Sequence, residues 1–129
     1  MVSKVYQTDF SAGKGNALQA CIASILEFPL DQVPNFIESP DGYHRAIHDY
    51  LSKNGGHTLV KILLPNGEMD FESFGEPLVL AAGKSPRGDH KHVMVGKIIG
   101  KQIVMAHDPH PDGAGLDGSP QWVGFIVKL

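Results

Sequence analysis

Apolar residues in the first part of the chain recur at the spacing of a helix. Between Asn16 and Phe28 the apolar side chains fall three or four positions apart, namely Leu18, Cys21, Ile22, Ile25 and Leu26. Small residues fill most of the remaining positions, so we predict a helix that is buried on nearly all sides. Asn16 is the expected N-cap, and Pro29 is expected to end the helix.

Two further helical segments follow. "PLDQVPNF" is typical of one short helical turn closed by Pro34. In "SPDGYHRAIHDYLSKNGG" an apolar stripe predicts another helix, which the Gly55-Gly56 pair terminates; the stripe consists of Tyr43, Ile47, Tyr50 and Leu51.

After residue 56 the pattern changes to short β-rich runs. Turn-forming segments separate the runs "HTLVKILL", "EPLVLAAG", "KHVMVGKIIG", "KQIVMAHD" and "QWVGFIVKL". Helices first and strands afterwards favour an α+β fold over alternating α/β. We therefore predict helices packed on an antiparallel meander of about five strands, within a single domain over residues 1–129.

Composition narrows the classes of function. The formal charge of −3 offers no reason to expect nucleic acid or an anionic membrane as partner. No apolar run is long enough to span a bilayer, and no signal-like segment opens the chain. The single cysteine fits a reducing compartment, so we expect a cytoplasmic protein. We expect no cofactor. The oligomeric state stays open.

Reactive side chains concentrate at three predicted element ends. The first is the helix start at Asn16 and Ala17, and the second is "DHKHVMVG", which contains His90 and His92. The third is "AHDPHPDGAG", which contains His107, Asp108, His110 and Asp112. The second and third sites flank consecutive strands joined by a short turn, so we expect Asp108 to lie near His92. A carboxylate there would fix the tautomer of the imidazole and stabilise its protonated form.

The expected nucleophile is absent from this arrangement. A cysteine at position 17 would have a lowered pKa, because a helix N-terminus and a histidine would both stabilise the thiolate. The backbone N–H of residue 17 is a candidate oxyanion donor. Cys21 lies one turn further along, on the apolar face, and is better interpreted as a small buried residue.

The segments "ALQACI", "HVMV" and "HDP" occur in the order of three motifs of the papain-like cysteine peptidases. The chain resembles the C39-like group in particular, with its "C-G-x-A-C-L", "H-x-V-V" and "D-P". It is also similar to small bacterial and phage-type proteins with "GNCLQAC", "SPRG…H" and "HDPHP". The resemblance covers most of the chain, although the stretch from Phe36 to Val79 adds little.

This resemblance implies a papain-like α+β fold and a thiol hydrolase acting on a peptide, isopeptide or amide bond. It places the nucleophile at residue 17, the general base at His92 and the orienting carboxylate at Asp108. Gln7 is the candidate oxyanion glutamine, although it lies further upstream than usual, with "SAGKG" as an intervening insertion. The substrate would be a peptide, a protein or a small amide.

Ala17 departs from the family pattern and implies that this chain is inactive. It is either an engineered Cys→Ala substitution or the native residue of a pseudoenzyme, and the intact surrounding pattern favours the substitution. Two loops are candidate rims of a substrate cleft: "GKSPRGDHK", where Arg87 is placed to meet an anion, and "PHPDGAGLDGSP". Asn16, Arg87 and His110 are the expected substrate-binding residues.

Two other functions remain open. On the same scaffold, a binding module without catalysis would carry Ala17 as its native residue. A metal-dependent hydrolase would use imidazole and carboxylate ligands drawn from His90, His92, His107, Asp108 and His110. No HExxH or cysteine-rich pattern supports the metal, and it would leave the glycine-rich helix entrance unexplained.

Overall fold

The structure is a computed structural model that describes residues 3–11 and 15–129. The helices are α1 (Ala17–Leu26) and α2 (Tyr43–Lys53), and two short 3-10 turns at Leu30–Gln32 and Phe36–Glu38 lie between them. The strands are β1 (His57–Leu63), β2 (Leu78–Lys84), β3 (Lys91–Ile99), β4 (Gln102–His107) and β5 (Trp122–Lys128). The prediction of an α+β fold with five strands is confirmed.

The sheet is antiparallel throughout, but the prediction of a simple meander is wrong. Its order is β1-β5-β2-β3-β4, so the last strand inserts between the first two. The segment 64–77 between β1 and β2 is far longer than a hairpin turn, which frees these two strands from pairing with each other. Trp122, Val123 and Gly124 are buried, as a strand flanked on both sides requires.

The two faces of the sheet bury different sets of apolar side chains. Helix α1 packs on β2 and β3, while α2 packs on β1. Val93 and Val95 of β3 face this helical layer, whereas Met94 and Ile98 of the same strand face an opposite layer that includes Leu64 and Met69. This two-sided burial explains why β3 is a nearly continuous apolar run in the sequence.

A β-bulge interrupts the pairing of β3 with β4. Gly96 pairs with Met105, whereas the adjacent Val95 pairs with His107, so Ala106 is an extra residue on β4. Since paired residues share a face of the sheet, one extra residue exchanges the faces of all residues beyond it. The bulge thus determines which way the end of β4 points.

Helix α1 ends where the sequence leads one to expect, for a reason other than proline alone. Glu27 adopts a left-handed conformation with φ of 60°, and its N–H donates to the carbonyl of Ala23. This closes the last turn two residues before Pro29. Within the residues that the structure describes, no helix is long and apolar enough to cross a membrane.

Candidate functional site

His92 and Asp108 form a buried hydrogen-bonded pair. The distance between Nε2 of His92 and Oδ1 of Asp108 is 2.8 Å, and the two side chains are 5% and 1% exposed. The backbone N–H groups of His110 and Gly115 also donate to this carboxylate, at 3.0 Å and 2.7 Å. The two residues predicted to be neighbours are therefore brought together, and the loop after β4 folds around the carboxylate.

The bulge in β4 places Asp108 beside His92. If the shifted register is continued by one residue, Asp108 lies opposite Met94. Met94 and His92 are two residues apart on β3, so Asp108 is on the same face of the sheet as the Cβ of His92. Without the extra residue Asp108 would stand opposite Val93, on the other face. Sequence spacing predicted the proximity of the pair, but the shared face depends on the bulge.

The environment of Asp108 determines which tautomer of neutral His92 is present. Burial raises the pKa of Asp108, but the hydrogen bonds from His92, His110 and Gly115 outweigh it, and the pKa is lowered. An ionised carboxylate only accepts hydrogen bonds, so Nε2 of His92 must carry the hydrogen. In the neutral ring Nδ1 is then the free base, and no described residue forms a hydrogen bond to it.

A cavity of about 360 Å³ brings His92 and the start of α1 to a common space. Ala17 is the first residue of α1, so its backbone N–H has no acceptor within the helix. The positive end of the helix dipole lies at the same point. The cavity therefore combines an imidazole base with a helix N-terminus, and at residue 17 it meets a methyl group.

Asn16 is the N-cap residue of α1, as predicted, but its side chain holds the preceding segment in place and does not cap the helix. Its side chain forms no capping hydrogen bond. Instead, Oδ1 accepts from the N–H groups of Thr8 and Asp9 at 2.8 Å and 2.9 Å, and Nδ2 donates to Oγ1 of Thr8. The predicted N-cap position is thus confirmed, but the hydrogen bond by which such a side chain usually caps a helix is not formed. Asn16 is buried and does not line the cavity; it positions the segment that carries Gln7.

Gln7 lies at the cavity, buried and anchored on both sides. Its backbone N–H donates to the carbonyl of Pro109, and Nε2 donates to the carbonyl of Asp9, both at 3.0 Å. Oε1 has no hydrogen-bond partner among the described residues. Gln7 and Ala17 line the same cavity although they are ten residues apart in the sequence. Residues 12–14 of the "SAGKG" insertion lie outside the described part.

Arg87 and His110 line the cavity and meet at Asp112. Nη1 of Arg87 lies 3.0 Å from both carboxylate oxygens of Asp112. Nδ1 of His110 accepts from the backbone N–H of Asp112, and the His110 ring packs edge-on against Phe10. These contacts join the loop before β3 to the loop after β4 along one rim of the cavity.

Two aromatic residues that form an apolar wall of the cavity were not predicted from the sequence. Trp122 and Tyr43 both line the cavity. Nζ of Lys61 lies 4.5 Å from the centre of the Trp122 ring and 3.2 Å from Oη of Tyr43, which keeps both rings in place. The signal in the sequence was weak, because Tyr43 also fits the apolar stripe of α2 and Trp122 the start of a strand.

The histidines considered as metal ligands do not converge. His90 and His92 line the cavity, whereas His107 lies on the helical side, where Nε2 donates to the carbonyl of Val5 at 2.7 Å. Among residues 3–11 and 15–129, no group of three or more histidine, cysteine, aspartate or glutamate side chains is arranged to hold a metal ion. The described residues thus do not offer the ligand set of the metal alternative.

Cys21 is enclosed in the core. Its side chain is 0% exposed, and its thiol donates to the carbonyl of Val93 at 3.5 Å. Burial, with a smaller contribution from Asp108, raises the pKa of the thiol well above its usual value. The interpretation of Cys21 as a small buried residue is confirmed, and the thiol is not available as a nucleophile.

Compared with known proteins, this chain matches no protein-family model, no curated protein and no solved structure.

Proposed function

We propose that this chain carries the site of a papain-like thiol hydrolase in which Ala17 occupies the position of the nucleophile. The observation that carries the proposal is the His92–Asp108 pair, hydrogen bonded through Nε2 at 2.8 Å. It leaves Nδ1 as the free base on a ring that lines the same cavity as the first residue of α1. A helix start, an imidazole and an orienting carboxylate are the three parts such a site needs.

The roles follow from the atoms available. With a thiol at position 17, Nδ1 of His92 would take the thiol proton, and the sulfur would attack the carbonyl carbon of an amide. The amine would leave with that proton, and a water molecule, deprotonated by His92, would then release the acyl group. Asp108 would keep the ring in one tautomer and stabilise its charged form.

Two N–H donors support oxyanion binding. The backbone N–H of residue 17 is free of intrahelical partners, and the side-chain amide of Gln7 lines the same cavity. The backbones of Asp9 and Pro109 hold Gln7 in place, and the second N–H of its Nε2, the one not donated to Asp9, is the donor proposed for the oxyanion. Together with the N–H of residue 17 it would stabilise the negative charge that develops on the oxygen of a bound carbonyl.

The arrangement of elements also favours the papain-like fold. A buried helix packs its flank on β2 and β3, and its N-terminus lies at a cavity also lined by a histidine at the start of β3. The substrate would be a peptide, an isopeptide or a smaller amide, and transfer to an amine is a variant of the same chemistry. A nucleophilic thiol requires reduction, which agrees with the cytoplasmic location proposed for this chain.

A binding module is the second candidate, and Ala17 itself favours it. As it stands, the cavity has a base and oxyanion donors but no group that can attack. If Ala17 is native, the cavity would hold a peptide tail or a small molecule without cleaving it.

The Ala17→Cys variant tests the proposal. We expect its thiol to react with iodoacetamide about 100-fold faster at pH 6 than an ordinary cysteine, because little of an ordinary thiol is ionised there. Adding His92→Ala should abolish that advantage. The measurement is the alkylation rate across pH, followed by intact mass and peptide mapping.

The unmodified chain is the matched control, since its only thiol is Cys21. Rapid labelling at position 17 that depends on His92 supports the hydrolase. Labelling no faster than that of an ordinary thiol would contradict it and leave the binding module as the better interpretation.

A further inference from the structure

The charges around the cavity differ in sign from the charge of the whole chain. The chain has a net charge of −3, yet the described lining includes Arg87 and Lys91, with His90, His92 and His110, and no aspartate or glutamate. Asp108 is buried against His92, whereas Asp112 lies at the exposed rim and is paired with Arg87. The formal charges on the lining itself, those of Arg87 and Lys91, are therefore positive.

Arg87 is held in place while most of its donors stay free. Asp112 engages Nη1 alone, so Nη2 and Nε have no partner among the described residues. The backbone N–H of Arg87 also donates to Oγ of Ser85, which fixes the loop that carries it. A guanidinium that is oriented by one carboxylate and keeps two nitrogens free is suited to bind a second carboxylate.

Lys91 adds a second cation to the same rim. Its ammonium group forms no ion pair with any described residue, whereas Lys84 and Lys97 each have a carboxylate partner. Across the cavity the wall is apolar and contains Leu18, Ile37 and Trp122. The cavity thus favours a ligand that has an apolar part and a negatively charged end.

We propose that the cavity selects a substrate bearing a carboxylate, and that Arg87 and Lys91 are the residues that recognise it. The chemical class is an acyl compound or peptide with a negatively charged group close to the bond that faces residue 17. The assignment of a substrate rests on the proposed function, but the attraction of a carboxylate to this rim does not depend on catalysis.

A pair of reagents that differ in charge tests this selection. The thiol of the Ala17→Cys variant is alkylated with iodoacetate and, separately, with iodoacetamide, and the ratio of the two rates is measured. We expect Arg87→Gln and Lys91→Gln each to lower the ratio by about fivefold, since each removes a positive charge from the cavity that residue 17 also lines. Asp112→Asn should raise the ratio, because it leaves the charge of Arg87 unpaired.

Arg87→Gln is expected to lower the ratio of the two rates and Asp112→Asn to raise it. This difference in sign distinguishes recognition of a carboxylate by Arg87 from a purely structural role of the Arg87–Asp112 pair. If the Arg87–Asp112 pair served only to shape the loops, both substitutions would change the ratio in the same direction, which would overturn the proposal. Lys101→Gln is the matched control, because Lys101 is exposed in the β3–β4 turn and does not line the cavity. The proposal would also be overturned if Lys101→Gln lowered the ratio of the two rates equally, or if Arg87→Gln and Lys91→Gln left that ratio unchanged.

The same experiment keeps the two proposals apart. Dependence of the absolute rate on pH and on His92 tests the thiol hydrolase. The ratio between the two reagents cancels thiol reactivity and tests only the selection for negative charge. A ratio that depends on Arg87 in a variant without an activated thiol would support the carboxylate site and contradict the hydrolase.

Discussion

Two histidine–aspartate pairs lie within the same stretch of the chain, and they differ in almost every physical respect. His92 lies in β3 and Asp108 directly after β4; Nε2 of His92 is 2.8 Å from Oδ1 of Asp108, and the side chains are 5% and 1% exposed. His110 and Asp112 lie two residues apart in one loop; Nδ1 of His110 is 3.2 Å from Oδ1 of Asp112 but accepts from the Asp112 backbone N–H, and the side chains are 21% and 39% exposed. Identical residue types thus form an enclosed pair in one place and a solvent-exposed contact in the other.

The two pairs differ in how firmly the carboxylate constrains the histidine ring, which matters for a histidine that acts as a base. Asp108 is shielded from water and receives donors from three different residues, so it has one arrangement and imposes one tautomer on His92. Asp112 shares its carboxylate between Arg87 and the backbone N–H of Ala114, in contact with water. Solvent competes for that carboxylate, so it leaves the ring of His110 less constrained.

The largest expected difference concerns reactivity at position 17. In the Ala17→Cys variant, Asp108→Asn should lower the alkylation rate at pH 6 by about tenfold or more, because the amide no longer stabilises the charged ring of His92. Asp112→Asn should leave the rate with neutral iodoacetamide nearly unchanged. Stopped-flow alkylation measures both, and equal effects of the two substitutions would remove the distinction between the pairs.

The two aspartates should also differ in how much they contribute to the free energy of unfolding. In the chain as it stands, Asp108→Asn should lower the free energy of unfolding by about 1–3 kcal/mol, because an amide cannot accept from every donor that surrounds the carboxylate. Asp112→Asn should cause no measurable loss, since water can replace the contacts of an exposed carboxylate. Urea denaturation followed by the fluorescence of Trp122 measures both; a loss as large from Asp112→Asn would show that the exposed loop is equally structural.

The stability difference should also depend on pH. The pKa of Asp108 is lower in the folded chain than in the unfolded chain, so its stabilisation is fully present above about pH 5. It is lost as pH falls through the ordinary carboxyl pKa toward the lower folded-state pKa. The gap between the original chain and Asp108→Asn should therefore narrow in acid. Denaturation at a series of pH values checks this, and a gap constant down to pH 3 would exclude an ionised Asp108 as its cause.

The smallest expected effect concerns Asp112. Its pKa is lowered first by the N–H of Ala114 and further by Arg87. Arg87→Gln should therefore raise the pKa of Asp112 but leave it below the usual value, because the backbone donor remains. NMR titration of the side-chain carboxyl carbon follows this directly. A complete return to the usual pKa would show that the loop opens when Arg87 is removed.

Much of the fold could be predicted because its elements have distinct hydrophobic periods. Both α-helices and all five strands lie where the pattern of apolar residues placed them. Strand order was not predictable in this way, since the run that became β5 carries no signal for pairing with β1 and β2. Which strands pair is decided by the packing of whole faces, and residues 64–77 are long enough to allow several orders.

The site was predictable to the extent that it depends on strand ends. Proximity of His92 and Asp108 follows from a short turn between adjacent strands, and this was expected. That Asn16 turns away from the helix to hold Thr8 and Asp9 was not, because a local sequence cannot show which of two nearby sets of N–H groups an amide will bind. The positions of Tyr43 and Trp122 likewise depend on packing between distant segments.

The bulge in β4 has a consequence for the behaviour of the chain in solution. β4 is an outer strand of the sheet, and its exposed side chains include Val104 and Met105. A straight edge of this kind can pair with the edge of another molecule and start aggregation. The extra residue Ala106 makes the edge irregular, and Pro109, shortly beyond it, has no N–H to offer. The same residue that turns Asp108 toward His92 thus helps to keep separate copies of the chain apart.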